Sequence, residues 1–220
     1  SFNFSYMKKL FVCLLLFSQT VLADRYQTGL DHYDAGNYAK AYCIWKVLAD
    51  RGHVVAQYSL GWMYANGEGL AVDAKTAIKL WRQSAALGHP DAHFAMALAY
   101  TTGEGVKRDD LKAIKWHIEA SQLGHEDSQA ILYDLITGQF QQLSYAEKKM
   151  LQQSWRMLGT SNFINSNRAN IRSGPSSKNK TILYANKGDE FVEFRRKGKW
   201  LQIGLPNKTI VGWVHSSLIE

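Results

Sequence analysis

Apolar side chains over residues 54–66 recur at Ala56, Leu60 and Tyr64, every fourth place, which sets them on one face of a helix. A second run follows over 74–86, where Ala77, Leu80, Trp81 and Ser84 form an inner face with Ala85 beside them. Gly67-Glu68-Gly69 lies between the runs, and glycine takes the left-handed backbone that ends a helix. Asp73 then opens the second helix as an N-cap, its carboxylate facing the positive helix end. Gly88 closes it. The pattern predicts a helical hairpin.

The hairpin repeats. Gly52-His53, Gly88-His89 and Gly124-His125 are spaced by 36 residues (52, 88, 124), and the same step relates Gly67 to Gly103, Gly69 to Gly105 and Asp73 to Asp109. Ala41, Ala77 and Ala113 follow it too. A period of this length marks stacked units that cannot bury their apolar faces alone. The unit at about 25–52 has a shorter turn at Gly36-Asn37, and residues 126–138 read as the first helix of a fourth unit. Ser144 with Glu147 predicts a capping box that opens a last helix through about Leu158, closing a fourth hairpin.

From about Phe163 the period changes. Short β-rich runs (ANIR, TILYA, EFVEF, KWLQIG, IVGWV) alternate with turn residues such as Asn186-Lys187-Gly188-Asp189 and Lys197-Gly198-Lys199. Such short strands over so few residues predict a small barrel. Phe191-Val192-Glu193-Phe194 alternates poorly and predicts a β-bulge. The division is thus helical hairpins over 24–162 and a β-barrel over 163–220.

Two resemblances follow from these residues. Leu60-Gly61-Trp62-Met63-Tyr64, Gly67-Glu68-Gly69 and Ala77 to Trp81 resemble the Sel-1-like repeat, a relative of the tetratricopeptide repeat. Asn170 to Pro175, Gly188-Asp189, Lys199 to Ile203 and Gly212 to His215 resemble bacterial SH3-like domains. Together they imply an α-solenoid that binds other proteins, followed by a small SH3-like barrel.

Met7 is followed by Lys8-Lys9, an apolar run Leu10 to Phe17, and Val21-Leu22-Ala23. That order is expected of a cleaved signal peptide over 1–23, with residues 1–6 as an upstream extension. The expectations that follow are export to the periplasm, a mature chain from Asp24 with no transmembrane segment, and one remaining cysteine, Cys43. This thiol lies in the register of Lys79 and Lys115, on an outward helix face where an intermolecular disulfide is conceivable.

Charge is concentrated at one end. The chain carries 26 Lys and Arg against 19 Asp and Glu, a net +7; residues 163–220 hold ten against four, and residues 24–162 fourteen against fifteen. A basic C-terminal part favours an anionic partner, and export favours cell-wall or lipid anions over nucleic acid.

Catalysis and metal binding find little support. His53, His89 and His125 occupy one repeat position and read as structural, and His89 lies in a turn before its helix rather than on a face with His93. No cofactor motif and no nucleophile–base set emerges. The expected function is a non-enzymatic scaffold or adaptor that binds a protein partner through its repeats and a second envelope ligand through the barrel. The alternative makes the barrel a cell-wall peptide-binding module, with peptidoglycan as ligand, that targets or regulates a peptidoglycan enzyme. Trp62, Gln57 and His93 vary between units on first helices and are the candidates for the repeat groove. Arg172, Tyr184 and Trp200 are the candidates on the barrel.

Overall fold

The computed structural model describes residues 24–219; the expected signal peptide lies outside the described residues. The chain divides into two compact units, one ending at Arg108 and one starting at Asp109.

In the first unit, residues 24–34 (α1) are helical, followed by α2 (Tyr38–Asp50), α3 (Val54–Asn66), α4 (Ala74–Ala86) and α5 (Pro90–Thr102). Gly67 and Gly103 take the left-handed conformation at the ends of α3 and α5 (φ 74° and 84°), as the turn motif requires. The second glycine of each motif has another duty. A Cβ on Gly69 would lie 2.5 Å from the Cβ of Tyr38, and one on Gly105 would lie 2.7 Å from the Ala74 carbonyl oxygen. Each turn therefore seats against the first residue of the preceding second helix.

The core of this unit gathers Trp45, Leu48, Ala56, Leu60 and Met63. One device is used twice within it. Trp45 lies across Gly29 and donates its indole N–H to the Tyr26 carbonyl at 3.3 Å. Trp81 lies across Gly61 and donates to the Tyr58 carbonyl at 3.2 Å. A glycine on the first helix thus admits an indole from the second.

The second unit begins with α6 (Asp110–Gln122) and α7 (Glu126–Asp134), which unwinds through a π-turn over Leu135–Gln139. Helices α8 (Tyr145–Leu151) and α9 (Trp155–Leu158) follow. The Ser144–Glu147 capping box forms in both directions, as expected. No simple fourth hairpin results, because α8 packs against α6 while the π-turn carries the chain away from α7.

Six strands complete the unit: β1 (Thr160–Phe163), β2 (Ala169–Arg172), β3 (Thr181–Ala185), β4 (Glu190–Lys197), β5 (Trp200–Leu205) and β6 (Ile210–His215). They form one antiparallel sheet ordered β1-β4-β5-β6-β2-β3. The anticipated bulge falls between Glu193 and Arg195. Alternation sets Phe191 on one face and Val192 and Phe194 on the other, so one strand feeds two cores.

The inner core holds Ile171, Phe191, Leu201, Ile203 and Val214. The other face of β4–β6 is covered in part by helices, through a core of Ile118, Leu132, Phe140, Trp155, Phe194 and Val211. Polar contacts fix the seam. The Tyr133 hydroxyl donates to the Phe194 carbonyl at 2.8 Å, Gln202 Nε2 to the Thr137 carbonyl at 2.8 Å, and Gln141 Nε2 to the Val211 carbonyl at 2.9 Å. The helices after Asp109 and the sheet therefore fold around shared apolar surface.

Candidate functional site

The first unit carries a cavity of about 380 Å³ whose walls include Trp62, Val72, Ala77, Trp81, Leu98 and Thr102. Small side chains open it: Ala65, Ala74, Ala95 and Ala99 supply walls where larger residues would fill the space. Trp62 is 38% exposed and Val72 65% exposed, so large apolar side chains stand free at this site. Tryptophan in that setting is a common anchor of protein interfaces. Trp62 is held by neighbours on two sides, Tyr58 at 6.5 Å and Trp81 at 6.1 Å between ring centres.

The other two groove candidates stand elsewhere. Gln57 is buried; its Nε2 donates to the Ala49 carbonyl at 3.3 Å, and its Oε1 has no hydrogen-bond partner among the described residues. It lines a different cavity, beside Lys46, Tyr64, Lys79 and Gln83. His93 is buried too, with Nδ1 2.9 Å from the His89 carbonyl oxygen. Trp62 alone of the three is exposed at the cavity. Position-to-position variation between repeats marked Gln57 and His93, and variation does not distinguish a buried polar contact from an open one.

All three repeated histidines stand at helix N-cap positions, and two of them cap through the side chain, whereas His89 Nδ1 has no hydrogen-bond partner among the described residues. His53 Nδ1 accepts the Ala56 N–H at 3.2 Å at the start of α3, and His125 Nδ1 accepts the Ser128 N–H at 3.2 Å at the start of α7. Accepting through Nδ1 requires a neutral ring, and burial lowers the pKa of His53 and of His89. Both rings also stack on tyrosines, His53 on Tyr26 at 5.5 Å and His89 on Tyr58 at 5.0 Å. Nearby, His117 Nδ1 lies 3.1 Å from Ser128 Oγ, and burial, with His125 adding to it, pushes its pKa down to about 4. The sequence showed these histidines as structural; capping was legible in their place between a helix-ending glycine and the next helix. Among the described residues, no three His, Cys, Asp or Glu side chains gather as a metal site would need. Cys43 is exposed with a free thiol.

On the sheet, register decides which candidates meet. Gln202 pairs with both Arg195 and Trp213, Trp213 with Arg172, and Arg172 with Thr181. Paired residues of antiparallel strands point to the same face. Trp200 pairs with His215 and Tyr184 with Asn170, each two places along its strand from that row or its bulged partner. Arg172, Tyr184 and Trp200 therefore share the outer face, opposite the inner core. The Arg172 guanidinium donates to the Asn179 carbonyl at 2.8 Å. Trp200 meets His215 edge to face at 5.3 Å. Tyr184 is 46% exposed and lies under the Arg168 guanidinium at 4.0 Å.

The same face holds residues that the sequence reading did not single out as ligand-binding. The Arg195 guanidinium lies 5.5 Å from the Trp213 ring centre. Trp213 is buried, but on this outer face rather than among the inner aliphatics. Strict alternation from Trp200 through Gln202 carried the signal for β5; for Arg195 the bulge hid it.

Comparison with known proteins agrees with this architecture. Residues 54–89 and 90–125 match the Sel1 repeat, and residues 167–220 match the Bacterial SH3 domain. A Sel1 repeat protein from Oxalobacter formigenes superposes with a TM-score of 0.51 at 24% identity, over 59% of this chain and 53% of its own. A protective antigen of uropathogenic Escherichia coli with an SLR fold gives 0.53 at 30% identity, over 63% of this chain and 30% of its own. This chain spans about half the length of the first and under a third of the second. No curated protein matches it. Residues 25–52, which lack the Gly-x-Gly turn, fall outside the matched repeats, although they too form a helical pair.

Proposed function

We propose that this chain, with its Sel1 repeats and bacterial SH3 domain, is a non-enzymatic adaptor that grips a protein partner in the apolar cavity beside Trp62. The carrying observation is that cavity: about 380 Å³, walled by alanines, with Trp62 38% exposed. A void of this size takes one large apolar side chain, and burying it against Trp62 and Leu98 contributes about 2–3 kcal/mol. Repeats and SH3 domains are both interaction modules, and two in one chain suit a protein that holds two partners together. The second partner is the anionic ligand of the strand domain. The N-terminal pattern Lys8-Lys9, Leu10 to Phe17, Ala23 supports an envelope location, where peptidoglycan or an envelope protein is accessible. Among the described residues no helix is long and apolar enough to cross a membrane.

The test uses the full chain with a photo-crosslinking amino acid in place of Val72, in the wall of the same cavity as Trp62, in cells. A discrete crosslinked protein is expected, and Leu98→Asp should abolish it while leaving the helical circular dichroism unchanged. Crosslinks that survive Leu98→Asp would place the partner elsewhere.

A further inference from the structure

The cavity beside Trp62 has a filled counterpart one repeat earlier, and the two sites match residue by residue. Trp45 lies across Gly29 and bonds the Tyr26 carbonyl, as Trp81 lies across Gly61 and bonds the Tyr58 carbonyl. The step from α1 to α3 is therefore 32 residues (29 to 61), and from α2 to α4 it is 36 (45 to 81). The shorter turn at Gly36-Asn37 accounts for the difference. The turn glycines agree with this register: Gly69 seats against Tyr38, and Gly105 against Ala74.

On these steps Tyr33 corresponds to Ala65, Tyr38 to Ala74 and Glu68 to Glu104. In the earlier site the Tyr33 ring packs on Trp45 at 5.3 Å and on Tyr38 at 5.4 Å. Its hydroxyl donates to Glu68 at 2.8 Å. Burial, and after it the bond to Glu68, raises the pKa of that hydroxyl above its ordinary value. The later site keeps the tryptophan and the glutamate, as Trp81 and Glu104, but has alanines in place of both tyrosines. Ala65, Ala74, Trp81 and Glu104 all line the cavity, which is thus the place a tyrosine fills one repeat earlier. Glu68 is half-buried under its tyrosine, whereas Glu104 is exposed.

The vacated site keeps an indole for a ring to pack on and a carboxylate that can only accept hydrogen bonds. A leucine or phenylalanine offers nothing to Glu104, and a phosphotyrosine would meet it with like charge. A phenol suits both groups.

We propose that the partner anchors itself by inserting a tyrosine side chain into this cavity. Its ring packs on Trp62 and Trp81, and its hydroxyl donates to Glu104 as Tyr33 donates to Glu68 within the chain. The inference rests on reading the cavity as the partner site and adds which side chain enters it.

The probes are p-cresol, toluene and p-tolyl phosphate, the side-chain analogues of tyrosine, phenylalanine and phosphotyrosine. Each is titrated into the full chain labelled with 15N at the tryptophan indoles, and binding is read from the N–H signals of Trp62 and Trp81. p-Cresol should bind about threefold or more tighter than toluene, and p-tolyl phosphate more weakly than either. Glu104→Ala, at an exposed position, should remove the preference for p-cresol and leave toluene binding unchanged. Ala65→Tyr should rebuild the earlier site, abolish p-cresol binding and raise the midpoint of thermal unfolding by about 4 °C. Toluene binding as tight as p-cresol, a preference that survives Glu104→Ala, or no p-cresol binding would each overturn the tyrosine anchor. So would a lower midpoint for Ala65→Tyr, since the two sites would then not be equivalent. The crosslink from position 72 separates this inference from the reading beneath it. A crosslinked partner whose yield is unchanged by Glu104→Ala would remove the tyrosine and leave the cavity as the partner site. Absence of any crosslink in the parent would remove both.

Discussion

Arg172 of β2 stands directly opposite Trp213 of β6, and among the described residues this is the one register pair that joins those strands. The pair links the β2–β3 hairpin to the rest of the sheet. Arg195 reaches the same indole from β4. One ring thus serves both the closure of the sheet and the placing of its cations.

Trp213→Leu should therefore cost more than a peripheral aromatic would. Loss of buried ring surface and of the cation contact together come to about 2–3 kcal/mol. Trp213→Phe keeps a ring and should cost about half as much. Urea unfolding checks both, and a Leu variant as stable as the parent would mean that the indole does not brace the sheet.

A second expectation comes from the glycine–tryptophan device. A Cβ at Gly61 would lie 2.6 Å from the indole nitrogen of Trp81, so Gly61→Ala forces the ring away and should cost about 1–3 kcal/mol. One repeat later the equivalent positions read Ala97 and His117 (61 and 81 plus 36). The sequence has exchanged both members together. Gly61→Ala with Trp81→His should accordingly recover part of the loss, and a double variant worse than the sum of its singles would refute the compensation.

Much of this was legible because the repeat showed each position more than once. Gly67 and Gly103, Asp73 and Asp109, and the histidines at 53, 89 and 125 declared their roles by recurring at one step. The turn glycines and aspartate caps stand where the pattern set them. The fourth hairpin was not legible. Its capping box at Ser144 was clear, but the π-turn before it depends on how Ile136 and Phe140 pack with Trp155 and Phe194, contacts that are distant in sequence. The outer-face row was half legible: alternation marks Trp200 and Arg172, whereas Arg195 is displaced by a bulge whose position only pairing with β5 fixes.

The two kinds of repeat glycine should respond differently to a methyl group. Gly105→Ala meets the Ala74 carbonyl at 2.7 Å and also strains a φ of 70°, for a loss of about 2–3 kcal/mol. Gly88 has a φ of 83° but nothing within 4 Å of a Cβ, so Gly88→Ala should cost only the backbone strain, about 1 kcal/mol. Thermal unfolding of the two variants side by side checks this ordering; equal losses would show that the seating of the turn against α4 contributes nothing.

Acid should weaken the second unit before its carboxylates titrate. His117 is buried against Ser128, and its pKa falls from the ordinary value near 6.5 to about 4 because burial opposes the charged ring. The unfolded chain therefore takes up a proton below about pH 6.5 that the folded chain refuses until about pH 4. A depressed histidine pKa means stability is fully present above the unfolded value and declines as pH drops toward the folded one. The full effect is about 3 kcal/mol, reached near pH 4. His53 and His89, in the first unit, shift in the same direction, so that unit loses stability with acid too. Paired carboxylates such as Asp189 and Glu190, held below their usual range by hydrogen bonds and cations, lose their contribution only at lower pH. His117→Gln keeps a polar side chain but cannot take up that proton, so its stability curve between pH 6.5 and 4 should be flatter than that of the parent. Urea midpoints at four or five pH values test it; parallel curves for the two proteins would remove His117 as the group responsible.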